Sequence, residues 1–196
     1  MAAGFKINNE SGNRWEVRRS YLTNKHAEMI AQQARWLMNQ TAYCLSVQRH
    51  NALRKGTLGI LSATLHLEGS TRNRGLPTLE RYPDIEEATR LITDLYTKTS
   101  IETCDTARAV SILRYAPFGR LGWHRDETKK SAADNTLAIT LGGHGIVVVK
   151  DELQGSVAVP VYRGDAMFID NSGNPEERVE HMAYNLGTKQ RIVYVD

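Results

Sequence analysis

The sequence predicts an α+β protein in which helices pack on a β sandwich or barrel. Three observations carry that expectation. Apolar residues recur at helical spacing in two segments of the first half. From about residue 108 the period shortens to that of strands, in eight short segments punctuated by Gly, Asn, Asp and Pro. No linker-like stretch separates the halves, so they are expected to share one core.

The elements follow in order. Trp15 and Val17 suggest a short first strand. Thr23 or Asn24 is suited to cap a helix, and Ala27, Ile30, Ala31, Ala34, Leu37, Met38 and Leu45 give it an apolar stripe over about 24–50, ended by Gly56 and Gly59. "ILSATLHLEG" reads as a strand and "STRNRGLP" as an exposed loop. Asp84, with Glu87 three residues on, has the form of a capping box. The helix it starts carries Ile85, Ala88, Leu91, Ile92 and Leu95. The strand segments are "AVSILRYA", "LGWHRDE", "TLAITLG", "GIVVVKD", "SVAVPVY", "DAMFID", "VEHMAYN" and "QRIVYV".

Composition narrows the classes. At 196 residues, 41% hydrophobic and 24% charged, the chain has the makeup of a soluble domain with a substantial core. Its longest apolar runs are strand-sized, far short of the roughly 20 residues of a membrane helix. No apolar region follows the N-terminus as in a secretion signal. Cys44 and Cys104 form neither a disulfide framework nor a Cys-based zinc motif. The expected setting is cytoplasmic, away from membranes, as a monomer. Net charge is only +3, but residues 49–81 hold Arg49, Arg54, Lys55, Arg72, Arg74 and Arg81 against Glu68 and Glu80. Such a stretch suits either phosphate contact or a solvated face.

The segment "GRLGWHRDETKK" contains His124-x-Asp126. With six His in the chain, this spacing alone is close to what chance supplies. On a strand, residues two apart face the same side, so both can approach one ion while Trp123 and Arg125 face away. His181, 55 residues past Asp126, is the candidate third ligand. Two His and one carboxylate with open positions is the donor set of non-haem Fe(II) oxygenases. Arg191 follows His181 by ten residues across the turn-like "NLGT". A hairpin centred there would put both on one face, offset by roughly 7 Å. That offset suits an Arg gripping the far carboxylate of a small metal-chelated diacid. His144 in "GGHG" reads as an exposed hairpin turn, and His66 as a sheet residue lining the pocket.

The ordered set "ILRYAPFGRLGWHRDE", "GDAMFID" and "VEHMAYNLGTKQRIVYV" resembles the 2-oxoglutarate/Fe(II)-dependent dioxygenases, in particular their AlkB-like branch, over about residues 75–196. The resemblance implies a double-stranded β-helix (jelly roll) core over 108–196. Residues 1–107 then form helical support and a substrate lid, all within one domain over 1–196. It implies iron bound by His124, Asp126 and His181, 2-oxoglutarate held by Tyr115 and Arg191, and O₂ as oxidant. The substrate contacts expected are Arg72, Arg74 and His66.

Where the AlkB lead-in has Asn two residues before the Tyr, this chain has Leu113. It ends at Asp196, before the position of the second AlkB Arg. Thr128 stands where bacterial-type AlkB has an acid that reads the damaged base. The leading expectation is hydroxylation or oxidative demethylation of a nucleobase in DNA or RNA, flipped out or single-stranded. The same chemistry on a free nucleotide, amino acid or other metabolite is the alternative. A jelly-roll hydrolase or binding module, using the same ligands for another ion, is the reading from a different class.

Overall fold

The computed structural model describes residues 14–39, 56–66, 78–98, 109–126, 135–151, 155–171, 174, 176 and 178–195. In chain order the elements are β1 (Trp15–Arg18), α1 (Asn24–Asn39), β2 (Leu58–His66), a 3-10 turn at Leu79–Arg81, α2 (Pro83–Lys98), β3 (Ala109–His124), β4 (Asn135–Gly142), β5 (Gly145–Asp151), β6 (Gly155–Val161), β7 (Ala166–Asp170), β8 (His181–Asn185) and β9 (Arg191–Val195). The chain forms the expected jelly-roll core with flanking helices. No described helix is long and apolar enough to cross a membrane.

The first helix starts as local chemistry dictates; the second differs from expectation. Thr23 Oγ1 accepts from the His26 N–H at 3.2 Å, capping α1. The helix is described over Asn24–Asn39; the rest of the expected span, with Leu45, falls in residues 40–55, outside the described region. Asp84 is not the cap of α2. Pro83 takes the first helical position, where its missing N–H costs nothing, and the N–H groups of Ile85 and Glu86 both reach the Tyr82 carbonyl. Gln33 of α1 supplies Oε1 to the Ile85 N–H at 2.9 Å. A tertiary contact thus does what the local box was expected to do.

All nine strands join antiparallel in the order β1-β7-β4-β9-β3-β8-β5-β6, with β2 on the other edge of β3. The two expected strands "AVSILRYA" and "LGWHRDE" are one 16-residue strand, β3. Pro117 and Gly119 bend it without breaking it. Phe118 takes φ +57° and Gly59, opposite, +67°. A Cβ on Gly119 would lie 2.8 Å from the Gly59 carbonyl oxygen and 2.9 Å from that of Ala116, so glycine is required for the close approach. Before the bend β3 pairs with β9; after it, with β8.

The period-two pattern splits the apolar residues between two cores. Ile192 and Tyr194 of β9, Leu137, Ile139 and Leu141 of β4, and Ile112 of β3 face the helices, meeting Ile30, Leu37, Ile85 and Ile92. Each such fully buried aliphatic side chain contributes about 1.5–3 kcal/mol. A second set, including Tyr115, Met167, Ile169 and Val193, faces the inside of the curled sheet.

Candidate active site

The inside of the curl is a cavity of about 420 Å³, lined by residues of seven strands together with Asp126. Most of its wall is apolar. His124, Asp126, His181, Tyr115 and Arg191 all line it, so the fold brings the five sequence-predicted residues into one space.

Two strand ends and a bulge build the histidine pair. Leu121 pairs with Ala183 and His124 with His181, so three residues of β3 advance against two of β8. That extra residue switches the facing of the strand. Leu121 and His124 both line the cavity, whereas Trp123 does not; it is partly exposed, with Lys150 Nζ 4.9 Å over its ring, rather than packed in the core. The imidazoles stack with centroids 4.2 Å apart. His124 Nδ1 lies 2.8 Å from the Gly122 carbonyl and His181 Nδ1 3.2 Å from that of Val179. Each hydrogen bond places the proton on Nδ1 and leaves the Nε2 lone pair toward the cavity.

Asp126 closes the set. Its Oδ1 lies 3.4 Å from His124 Nε2 and its Oδ2 3.8 Å from His181 Nε2. One ligand atom from each of the three residues falls within 4.8 Å of the others. Burial would raise the Asp126 carboxyl. When the imidazoles are protonated, the His124 hydrogen bond and the charges of His181 and His124, with help from Thr136, outweigh it and hold the group well below the usual carboxylate range. Oδ2 is buried without a hydrogen-bond partner. An oxygen in that state beside two imidazole lone pairs fits a divalent metal ion, whose preferred donors here are N, N and O.

Arg191 is the second charged feature. It is buried, with Nη1 donating to the Tyr184 carbonyl at 3.3 Å and Nη2 to Thr140 Oγ1 at 3.1 Å. Its Cζ lies 5.2 Å from the centre of the Tyr115 ring, which is buried and pairs with it across the β3–β9 ladder. Burial pushes its pKa down, partly opposed by Tyr115. Among the described residues no acid pairs with it, and its Nε has no partner. A buried guanidinium stays protonated and calls for an anion. Room for it exists because position 145 is glycine; a Cβ there would lie 2.9 Å from Arg191 Nη1.

The expected hairpin from His181 to Arg191 does not form. β8 and β9 lie end to end along one edge of β3, with His181 opposite His124 and Arg191 opposite Tyr115. Asn185 holds the junction: its amide donates to the Ala116 and Lys189 carbonyls at 2.8 Å each, and its Oδ1 accepts from the Gly187 N–H. Both residues line the cavity because β3 curls, not because a tight turn pairs them. His144 is exposed in a turn that joins β4 to β5, which do not pair, so it too is not in a hairpin.

His66 ends β2, opposite Ala109, and its side chain lies outside the described residues, as do Arg72, Arg74 and Thr128. Leu113 lines the cavity. Sequence reading missed Thr136, Thr140, Asn171 and Arg178. The signal for the threonines was present, since Thr136, Ala138 and Thr140 alternate with the apolar Leu137, Ile139 and Leu141.

No family model matches the chain, and no curated protein matches it. Solved structures do. A prolyl-4-hydroxylase from Pseudomonas putida aligns with a TM-score of 0.57 at 12% identity, covering 94% of this chain and 91% of that one. OsALKBH1 aligns at 0.54 and 15% identity, over 93% and 97%. A viral collagen prolyl hydroxylase from Paramecium Bursaria Chlorella virus-1, in complex with 2OG, aligns at 0.52 and 13% identity, over 94% of each chain. The chain has the fold of these proteins along nearly its whole length.

Proposed function

We propose that this protein is an Fe(II)- and 2-oxoglutarate-dependent dioxygenase. One observation carries the proposal: a carboxylate and two imidazole Nε2 atoms converge in the same cavity that holds a buried arginine with which no acid among the described residues pairs. The first feature suits a divalent metal and the second a carboxylate, and a metal-chelating 2-oxo diacid needs both. The likeness of fold to hydroxylases, one of them in complex with 2OG, supports the same reading.

His124, Asp126 and His181 would hold the iron, leaving positions open for cosubstrate and O₂. Arg191, braced by Thr140 and the Tyr184 carbonyl, would bind the distal carboxylate, with Tyr115 alongside. Bound iron supplies the redox chemistry that couples conversion of 2-oxoglutarate and O₂ to succinate and CO₂ with hydroxylation of a substrate C–H bond. The protein's own part is to fix the ligands, anchor the diacid and enclose both in an apolar wall.

The substrate we propose is a nucleobase in DNA or RNA. Supporting it are the AlkB-like lead-in around Tyr115, the basic composition of residues 49–81 and the likeness to OsALKBH1. The test is anaerobic loading with Fe(II) and 2-oxoglutarate, then oxygen, with a panel of methylated oligonucleotides, nucleotides and amino acids, scoring succinate. Oxygen-dependent succinate that disappears in Asp126→Ala is expected. Succinate unaffected by that change would remove the oxygenase reading. Absence of salt-sensitive binding to any single- or double-stranded nucleic acid would move the substrate to a small metabolite.

A further inference from the structure

We infer that Arg178 and Arg125 are positioning residues: their side chains clasp together the two strand ends that carry the metal ligands, and so fix where Asp126 stands. The inference rests on the metal site argued above.

The last pair of the β3–β8 ladder is His124 opposite His181. Asp126 lies two residues beyond it, outside either strand. Chain beyond its ladder frays readily, yet a metal ligand must hold its place. Side chains take over where the ladder stops. Arg178 Nη1 donates to the Asp126 carbonyl at 3.1 Å. In the other direction, Arg125 Nε donates to the Arg178 carbonyl, also at 3.1 Å. Arg125 Nη2 lies 3.5 Å from Glu180 Oε2, next to His181 in the chain. Each strand end thus lends an arginine to the main chain of the other. The Nε of Arg178 is shut off from solvent, so this side chain is packed rather than free to wander.

The Asp126 main chain is therefore located twice, through its own carbonyl and through the side chain of the residue before it. From that footing its carboxylate reaches to 3.4 Å from His124 Nε2 and 3.8 Å from His181 Nε2. Losing an arm would let the carboxylate drift while both histidines stay on their ladder. Groups that orient a metal ligand typically contribute 10- to 100-fold in metal affinity.

Charge works in the opposite direction. Both arginines are cations beside a site for a divalent cation. Acting through charge alone they would repel the metal, and their removal would tighten binding. The clasp predicts weaker binding instead, so the sign separates the two. Lys150 is the control. Its ammonium meets Glu180 at 2.8 Å and the Trp123 ring at 4.9 Å, so it brings charge to the same strand ends without being an arm of the clasp.

The test is Mn(II) binding, measured by calorimetry on wild type, Arg178→Met, Arg125→Met and Lys150→Met, beside melting of the metal-free proteins. Arg178→Met is expected to bind Mn(II) about 10- to 100-fold more weakly, and Arg125→Met to weaken it in the same direction. Lys150→Met is expected to bind at least as tightly as wild type. The metal-free Arg178→Met protein should melt close to wild type, since Arg178 belongs to neither apolar core. Should it melt far below, Arg125→Met decides alone by the same criterion. Wild-type or tighter affinity in the deciding variant overturns the clasp and leaves the metal site standing. An equal loss in Lys150→Met assigns the effect to surface charge and also overturns it. A wild type that binds no Mn(II) overturns the metal site and the clasp with it.

Discussion

His124 and His181 sit directly opposite each other across the β3–β8 ladder, and each commits its Nδ1 to the carbonyl two residues before it. The site is therefore symmetric in its histidines, and both present Nε2. Replacing either with alanine removes one of three donors from a set with no spare among the described residues. His181→Ala is expected to lose saturable Mn(II) binding by calorimetry. Undiminished binding would show that the metal lies elsewhere.

Arg191 tests the anion end separately from the metal end. A charge-assisted hydrogen bond contributes about 1.5–3 kcal/mol, which is a factor of about 10–150 in affinity. Arg191→Met is expected to raise the KM for 2-oxoglutarate by that factor while Mn(II) binding in its absence stays near wild type. An unchanged KM would rule the arginine out as the anchor.

The bend of β3 makes a stability prediction. A methyl on Gly119 meets backbone carbonyl oxygens, which cannot swing aside as a side-chain tip can. Gly119→Ala should cost about 1–3 kcal/mol, as overpacking does. At about 2–4 °C per kcal/mol for a domain of this size, thermal melting resolves it.

Tyr21 makes a prediction about alkaline pH. Burial pushes its phenol up to about 12, opposed by Arg18, and its hydroxyl has no hydrogen-bond partner among the described residues. A folded-state pKa above the unfolded one favours the neutral form. The stabilisation is complete below about pH 10 and is lost as pH rises toward 12, because the unfolded chain ionises first. Tyr21→Phe has no such proton to lose. Denaturant unfolding between pH 9 and 12 should show a shallower fall in stability for the variant.

What the sequence made legible was whatever depends on period and on ordered spacing. The stripes of α1 and α2, the inward and outward faces of β4 and β9, and the His-x-Asp, His and Arg set are all of this kind. What it hid depends on which strand lies beside which. "NLGT" has the residues of a tight turn, yet Asn185 spends its amide on Ala116 and Lys189 and lays β9 along β3. Pro117 and Gly119 read as a strand break, yet a bend keeps the same pairing edge in use on both sides. The cap of α2 came from Gln33, 52 residues away, which no local pattern records.

The continuity of β3 has a final consequence. Tyr115, at the arginine end, and His124, at the metal end, belong to one unbroken strand. The gap between the two ends is a backbone dimension, like the fixed jaws of a calliper, and no loop movement opens it. The span between Tyr115 and His124 would then depend on the turn of β3 at Phe118 and Gly119, with Gly59 packed opposite.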